Sequence, residues 1–411
     1  MTEDRIKILH LCTIFPQFKG DFRGIFIGRH VAAMQEYVDN CVIAPMSPIT
    51  QKREKQDDVM IYRFQYWLPN KNQLVGYGID TRRNIGGSFL AKLQVLPYLF
   101  FFMLYVLWFG RKADVYHAHT TFTAIFPVIL NMFRWKKKPI IATALGSDLK
   151  FLPAWFNKLI LKKISYLTFP APLFASSGYT RPAGISLERM IQNMNAGQKF
   201  RELYYPLDER RFNPSIDNLE AKKKIGREGE FIVSFLSRLD DIKGAIYFAE
   251  AIPIVLARSP EIHFIFTSYG PLRDEIVRMT EERELSANVH FYDSPDDIET
   301  FMAASDIMCQ MCTEENLWTT ILAEAAVMRV PCIISNVGQT TKLYTHKKDV
   351  FIVDLSSEAL ADGIIELYND AALRKEIADN GRELLNLRGR RDEISKQKYF
   401  ELYASARACE N

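Results

Sequence analysis

Runs of four to six apolar residues recur along the chain, and most precede a stretch whose apolar positions return every three or four residues. A short solid apolar run fits a strand covered on both faces, and the longer spacing fits a helix lying on such a sheet. In the first half the pattern predicts strands over 6–11, 40–45, 60–67, 114–117 and 139–143, and helices over 24–37 and 123–133. The second half repeats it. Strands over 231–236, 262–268, 289–292, 307–311, 331–335 and 350–353 accompany helices over 245–258, 272–283, 296–305 and 318–328, and two helices close the chain. Such alternation predicts a parallel sheet with helices on both faces, so the expected fold class is α/β with two doubly wound domains. The polar, proline-punctuated stretch 204–230 is the expected joint.

The length of 411 residues suits two cores better than one. A net charge of +3 hides an asymmetry. Residues 1–205 carry 27 Lys and Arg against 13 Asp and Glu, giving 27 − 13 = +14, and the remainder gives 25 − 36 = −11. The halves are therefore expected to meet different partners, and no nucleic-acid partner is expected. Of the six cysteines, Cys309 and Cys312 make a C-x-x-C, but inside a buried-strand pattern that favours inert thiols. The charged start Met1–Asp4 runs straight into the first strand, from which a cytoplasmic location is expected.

One stretch raises the question of a membrane. Residues 95–109, VLPYLFFFMLYVLWF, are fifteen uncharged positions, where a span takes roughly 20. A helix here is expected to be buried or to lie at a membrane surface rather than to cross. Arg111 and Lys112 follow it, and Arg134, Lys136, Lys137 and Lys138 flank Trp135. Cations beside aromatic residues suit the inner, anionic face of a bilayer, and they equally suit a solvated end over a core helix.

The candidate chemistry lies in the second half. Arg238 and Lys243 end an apolar strand just before a helix, where the positive helix dipole disfavours cations unless an anion is to be held. Glu324 sits amid ILAEAAVM, an unusual place for a carboxylate. Fixed cations with helix-start N–H groups fit a diphosphate, and a fixed carboxylate fits a ribose diol. The sequence has no D-x-D pair for a divalent cation, so no metal and no cofactor are expected.

At these residues the chain resembles the two-domain (GT-B) glycosyltransferases, specifically retaining family 4, the glycosyl transferases group 1. The segments that carry the resemblance are Asp114–His119, Tyr205–Pro214, Ser237–Gly244, Ser268–Leu272, Ser305–Met308 and Glu324–Ile333, in the family's order. It implies two Rossmann-like domains facing across a cleft: an acceptor domain over 1–205, a donor domain over 206–385, and a helix over 386–411 crossing back onto the first. It also implies that Arg238 and Lys243 meet the donor diphosphate and that Glu324 meets the ribose. Leu317, Trp318 and Thr319 would offer backbone N–H groups to the β-phosphate. His119 would hydrogen-bond the donor sugar near the reacting carbon, with His117 pointing the same way, and Gly24 would let backbone amides approach phosphate or sugar. Asp148 is a candidate for acceptor or sugar contact, or caps a helix.

There are departures. Counting back from Glu324 in the family's Glu, seven residues, Glu signature reaches Asn316, with Glu315 one residue out of register. Either one fills the position. Leu145 also stands where the family has a histidine. The expected function is transfer of a hexose from a nucleotide-diphosphate sugar to a polyprenyl-linked or other lipid acceptor, or to a polysaccharide precursor, with retention and without an enzyme nucleophile. The enzyme would sit peripherally on the inner face of a membrane. The rivals are a non-catalytic nucleotide-sugar-binding partner and a GT-B sugar-nucleotide epimerase.

Overall fold

The computed structural model describes residues 5–18, 21, 23–76, 85–144, 154–170, 199–267, 269–293, 297–313, 320–338 and 340–408. The chain divides into two compact units, Met1–Pro206 with Glu393–Asn411, and Leu207–Asp392.

The first unit runs β1 (Lys7–Leu11), α1 (Ile25–Met34), β2 (Asp39–Pro45), β3 (Arg53–Gln56), β4 (Val59–Phe64), α2 (Phe89–Phe109), β5 (Val115–Ala118), α3 (Ile125–Met132), β6 (Ile140–Thr143), α4 (Ala154–Lys163), β7 (Tyr166–Phe169) and β8 (Phe200–Glu202). Its sheet has the order β3-β4-β2-β1-β5-β6-β7-β8. Among the described strands only the β3–β4 pairing is antiparallel. The strand order reverses direction between β1 and β5, which pair in parallel.

The second unit runs α5 (Asn218–Lys224), β9 (Phe231–Phe235), α6 (Ala245–Leu256), β10 (Ile262–Phe266), α7 (Arg273–Glu282), β11 (Val289–Phe291), α8 (Ile298–Ala304), β12 (Ile307–Gln310), α9 (Thr320–Val327), β13 (Cys332–Ser335), α10 (Thr340–Leu343), β14 (Phe351–Val353), α11 (Ser357–Asn369) and α12 (Ala371–Leu387). Its sheet, β11-β10-β9-β12-β13-β14, is parallel throughout and reverses between β9 and β12. The closing helix, α13 (Asp392–Ala408), packs Tyr399, Leu402 and Tyr403 against Ile8, Val115 and Ile141 of the first unit.

Four details differ from the pattern read along the chain. Asp57 and Asp58 both adopt positive φ and turn β3 back onto β4, a two-residue hairpin that the run of charges concealed. The strand expected over 60–67 stops at Phe64, because the Tyr66 amide donates to Gln73 Oε1 at 2.9 Å rather than to a neighbouring strand. The apolar helix begins at Phe89 rather than 95: Ser88 Oγ caps it, accepting from the Ala91 amide, and it reaches 21 residues. The chain closes on three helices, since Asp370 Oδ1 accepts from the Leu373 amide at 2.8 Å and starts α12 afresh.

Both sheets use the same device after their first strand. Gly24 (φ 69°) caps α1 and Gly244 (φ 70°) caps α6, each in the left-handed region. A β-carbon at 244 would lie 1.8 Å from the Met311 carbonyl oxygen at the end of β12. Gly244→Ala is therefore expected to cost at least about 2 kcal/mol, from left-handed backbone plus the clash. By calorimetry this should lower the unfolding midpoint of the second unit by several degrees. An unchanged midpoint would mean that α6 does not start against β12.

Candidate functional site

In open parallel sheets, ligands gather beyond the strand C-termini where the strand order reverses. In the second unit that point lies between β9 and β12, and the loop after β9 holds Arg238 and Lys243. Asp240, 6% exposed, organises the loop. Its carboxylate pairs with the Arg238 guanidinium through Nε and Nη2 and accepts from the Lys243 amide at 2.8 Å. One carboxylate thus aims one cation and sets the backbone at the next.

Neighbouring loops are pinned to this one. The Leu239 amide donates to Tyr269 O at 3.0 Å, and the Leu272 amide donates to Leu239 O at 3.1 Å. Gly270 belongs there because a β-carbon would come within 2.1 Å of Leu239 O. The Thr313 amide donates to Ile242 O at 3.0 Å, and Ser335 Oγ donates to Cys312 O at 2.6 Å. The loops after β9, β10 and β12 are therefore joined around Arg238 and Lys243, and the end of β13 is fastened to the third of them.

Glu324 lies on α9 and is 3% exposed, beside the buried Leu322, Ala323, Ala325 and Val327. Glu315, Asn316, Leu317, Trp318 and Thr319, expected at the phosphate and sugar, lie outside the described residues, as does Asp148. Cys309 and Cys312 are free, buried thiols, and burial pushes the Cys309 thiol well above its ordinary range.

The reversal point of the first unit is built differently. His10 of β1 pairs in register with His117 of β5, and His119 follows that strand. His30 of α1 packs against them, its ring centre 5.3 Å from that of His117 and 5.7 Å from that of His119. All four rings are fully buried. Asn40 Nδ2 donates to Val31 O, so its Oδ1 is the acceptor for His10 Nε2 at 2.8 Å. His10 Nδ1 must then accept from His119 Nε2 at 2.9 Å, and His119 Nδ1 accepts from the Tyr205 hydroxyl at 2.8 Å. This is a one-way chain of neutral rings from Tyr205 to Asn40. His117 bonds Tyr403 Oη at 2.8 Å and Thr143 Oγ1 at 2.9 Å.

This geometry bears on the expected role of His119. Both its ring nitrogens already hold side-chain partners, so a direct hydrogen bond to a sugar requires the Tyr205 or His10 bond to break. The same saturation argues against a metal at His10, His117 and His119, although their ring nitrogens lie close enough to share one. A second cluster, Glu230, His263 and His290, lies near the opposite, N-terminal ends of β9 and β10, and Arg227 already faces Glu230 at 3.3 Å. Gly24 at the start of α1 is buried, and a β-carbon there would lie 3.1 Å from Ile14 O.

Sequence reasoning gave Asp240 no role, although it stands between Arg238, with which it pairs, and Lys243, whose amide donates to it. It also missed His10, His30 and Asn40, which come from separate elements and show no local motif, and it gave Tyr205 no role of its own.

The second unit holds the stretch that matches a known family. Residues 217–384 match the family described as glycosyl transferases group 1. The chain is 24% identical over 287 residues to the UDP-Gal:alpha-D-GlcNAc-diphosphoundecaprenol alpha-1,3-galactosyltransferase of Escherichia coli, covering 66% of this chain and 70% of that one. It is 23% identical to the N-acetyl-alpha-D-glucosaminyl L-malate synthase of Bacillus anthracis, over 71% of this chain and 75% of that one. Among solved structures, Anabaena HepE in complex with UDP and glucose superposes with a TM-score of 0.69 at 16% identity, covering 97% of this chain and all of that one. The fold is that of the GT-B glycosyltransferases, with two Rossmann-like domains.

Burial lowers the His10 pKa from 6.5 to about 4 and holds His30, His117 and His119 well below their ordinary value. The unfolded chain then binds more protons than the folded one below the unfolded value, so stability is present above it and lost as pH falls. The unfolding midpoint of the first unit is expected to fall between about pH 6.5 and about pH 4. Thermal melts across that range check this; a flat profile would mean that the rings charge without unfolding.

Proposed function

We propose, from the premise that this chain belongs to the glycosyl transferases group 1, that it moves a hexose from a nucleotide-diphosphate sugar to a lipid-linked acceptor with retention of anomeric configuration. The observation that carries this reading is the loop in which Asp240 sets both Arg238 and the Lys243 backbone beyond the strand ends of the second unit. In the reaction the bond between the anomeric carbon and the diphosphate oxygen breaks, and its electron pair leaves on the diphosphate. The acceptor hydroxyl oxygen bonds to the same face of that carbon, and its proton passes to the departing phosphate oxygen. Arg238 and Lys243 stabilise the growing negative charge, in place of a divalent cation. Glu324 binds the ribose hydroxyls, and Asn316 or Glu315 contacts the transferred sugar.

The acceptor falls to the first unit, whose excess of cations suits a phosphate-bearing lipid. The diphosphoundecaprenol substrate in the name of the Escherichia coli relative supports a polyprenyl-linked acceptor. His119 serves by positioning, through Tyr205 and His10, and reaches the sugar only if that chain opens. The enzyme works peripherally at the inner face of a membrane.

Thermal shifts with UDP-, GDP- and ADP-sugars, with magnesium and with chelator, test the donor site. One nucleotide sugar should raise the midpoint in chelator as well as in magnesium. Arg238→Ala should weaken that binding roughly 10- to 100-fold, the loss of a charged hydrogen bond. No shift with any nucleotide would overturn the assignment. A shift without donor consumption, on acceptor lipid, would point to a binding partner instead.

A further inference from the structure

Helix α2 is apolar on all sides, yet only one stripe of it is covered. Ala91, Gln94, Tyr98, Phe102 and Val106 are buried. Phe102 stacks on Phe64 at 4.8 Å and meets Phe126 of α3 at 4.3 Å. Gln94 fixes the rotation, accepting from the Leu74 amide and donating to Asn72 O, both at 2.8 Å. The opposite stripe carries Phe89, Leu93, Leu96, Phe100, Leu104 and Trp108, exposed by 82% at Phe89, 75% at Leu96 and 65% at Trp108. Their spacing of three and four residues puts them along one side of the helix.

The helices around this stripe carry charge of one sign. Residues 85–113, 122–138 and 154–164, which hold α2, α3 and α4, contain ten Lys and Arg and no Asp or Glu. The cations collect at the C-terminal end of α2. Lys138 Nζ donates to Gly110 O and Arg111 O, each at 2.9 Å, which brings the segment with Arg134, Trp135, Lys136 and Lys137 against the helix end. Arg134 bonds the Tyr116 hydroxyl, which in turn donates to Gly110 O. Arg111 lies 5.2 Å over the Trp108 ring, beside a shallow hollow lined by Leu104, Tyr105 and Phe109. Trp135, Lys136 and Lys137 are exposed.

We infer that the outer stripe of α2, with the Arg111–Lys112 and Arg134–Lys137 cations at its end, is a docking surface for an anionic lipid bilayer, in which the helix lies along the interface. The cations select the occupant: a neutral apolar partner leaves them unused, whereas lipid phosphates meet them at the depth where Trp108 and Trp135 sit. Among the described residues α2 is the one helix long and apolar enough to cross a membrane. Crossing would strip Phe102 and Gln94 of their partners in the first unit, so the helix lies on the surface instead.

The test is sedimentation of the full-length protein with vesicles of phosphatidylcholine alone and of phosphatidylcholine mixed with phosphatidylglycerol. Wild type should pellet with the mixed vesicles and be released by salt. Leu96→Glu with Phe100→Glu should lose at least tenfold in partitioning. Lys136→Glu with Lys137→Glu should lose the preference for phosphatidylglycerol. Both variants alter exposed positions, and their unfolding midpoints and nucleotide-induced shifts should match wild type. Failure to pellet with mixed vesicles overturns the proposal, and so does pelleting that neither variant weakens. A dimer in solution that the Leu96 and Phe100 variant dissociates would assign the stripe to a second copy and also overturn it. The nucleotide shift reports the second unit alone, so the donor reading stands or falls separately.

Discussion

Helix α6 begins where residue 244 has no side chain, because the Met311 carbonyl oxygen fills the space that a β-carbon would take. That close approach lets the start of a helix and the end of the neighbouring strand share one small volume. The remaining parts of the candidate site depend on it. The Thr313 amide reaches Ile242 only because β12 ends beside the loop, and Ser335 then fastens the next strand to Cys312. Cations at a positive helix end are opposed by the local field, and the nearly buried Asp240 offsets this by pairing with the Arg238 guanidinium beside the Lys243 amide. In the proposed reading, a diphosphate would meet a guanidinium already aimed, so little side-chain freedom would be lost on binding.

The first unit repeats the glycine but not the charge. Gly24 starts α1 with nearly the same backbone as Gly244, yet the reversal point beside it is filled by the unit's own side chains. Burial keeps its histidines neutral, and neutral rings can pass hydrogen bonds in one direction without the cost of a buried charge. The chain ends at Tyr205, one residue before Pro206, where the polypeptide leaves the unit. The closing helix supplies Tyr403 to His30 and His117, so the returning end of the chain completes the network that its departing segment begins.

The strands and helices around both reversal points were legible because their apolar runs are solid and their helices are periodic. The β3–β4 hairpin was not, since its strands carry Arg53, Glu54 and Lys55 on an edge that needs no apolar pattern. The full length of α2 was hidden by Lys92 and Gln94, which read as an interruption, although one points outward and the other is tied to backbone. In the site, Arg238, Lys243 and Glu324 stood out by being charged where charge is costly. Asp240 did not, because an acidic residue in a polar loop looks ordinary until its burial is known. The histidine chain lay beyond sequence reasoning for a stronger reason: His10, His30 and His119 meet only once β1, α1 and β5 are in register.

Gln94 illustrates how one polar side chain can decide what a whole apolar helix does. A helix without a polar face has no preferred rotation from hydrophobicity alone, since every side gains by leaving water. Two hydrogen bonds from Gln94 to the 72–74 backbone remove that freedom, for turning the helix would leave a buried amide and two backbone groups unsatisfied. Once the rotation is fixed, Phe102 and Tyr98 must face the sheet, and Leu96, Phe100 and Trp108 must face away. The outward stripe is therefore a consequence of how the inner one is anchored, and the cations clipped to the helix end by Lys138 give that stripe its electrostatic character.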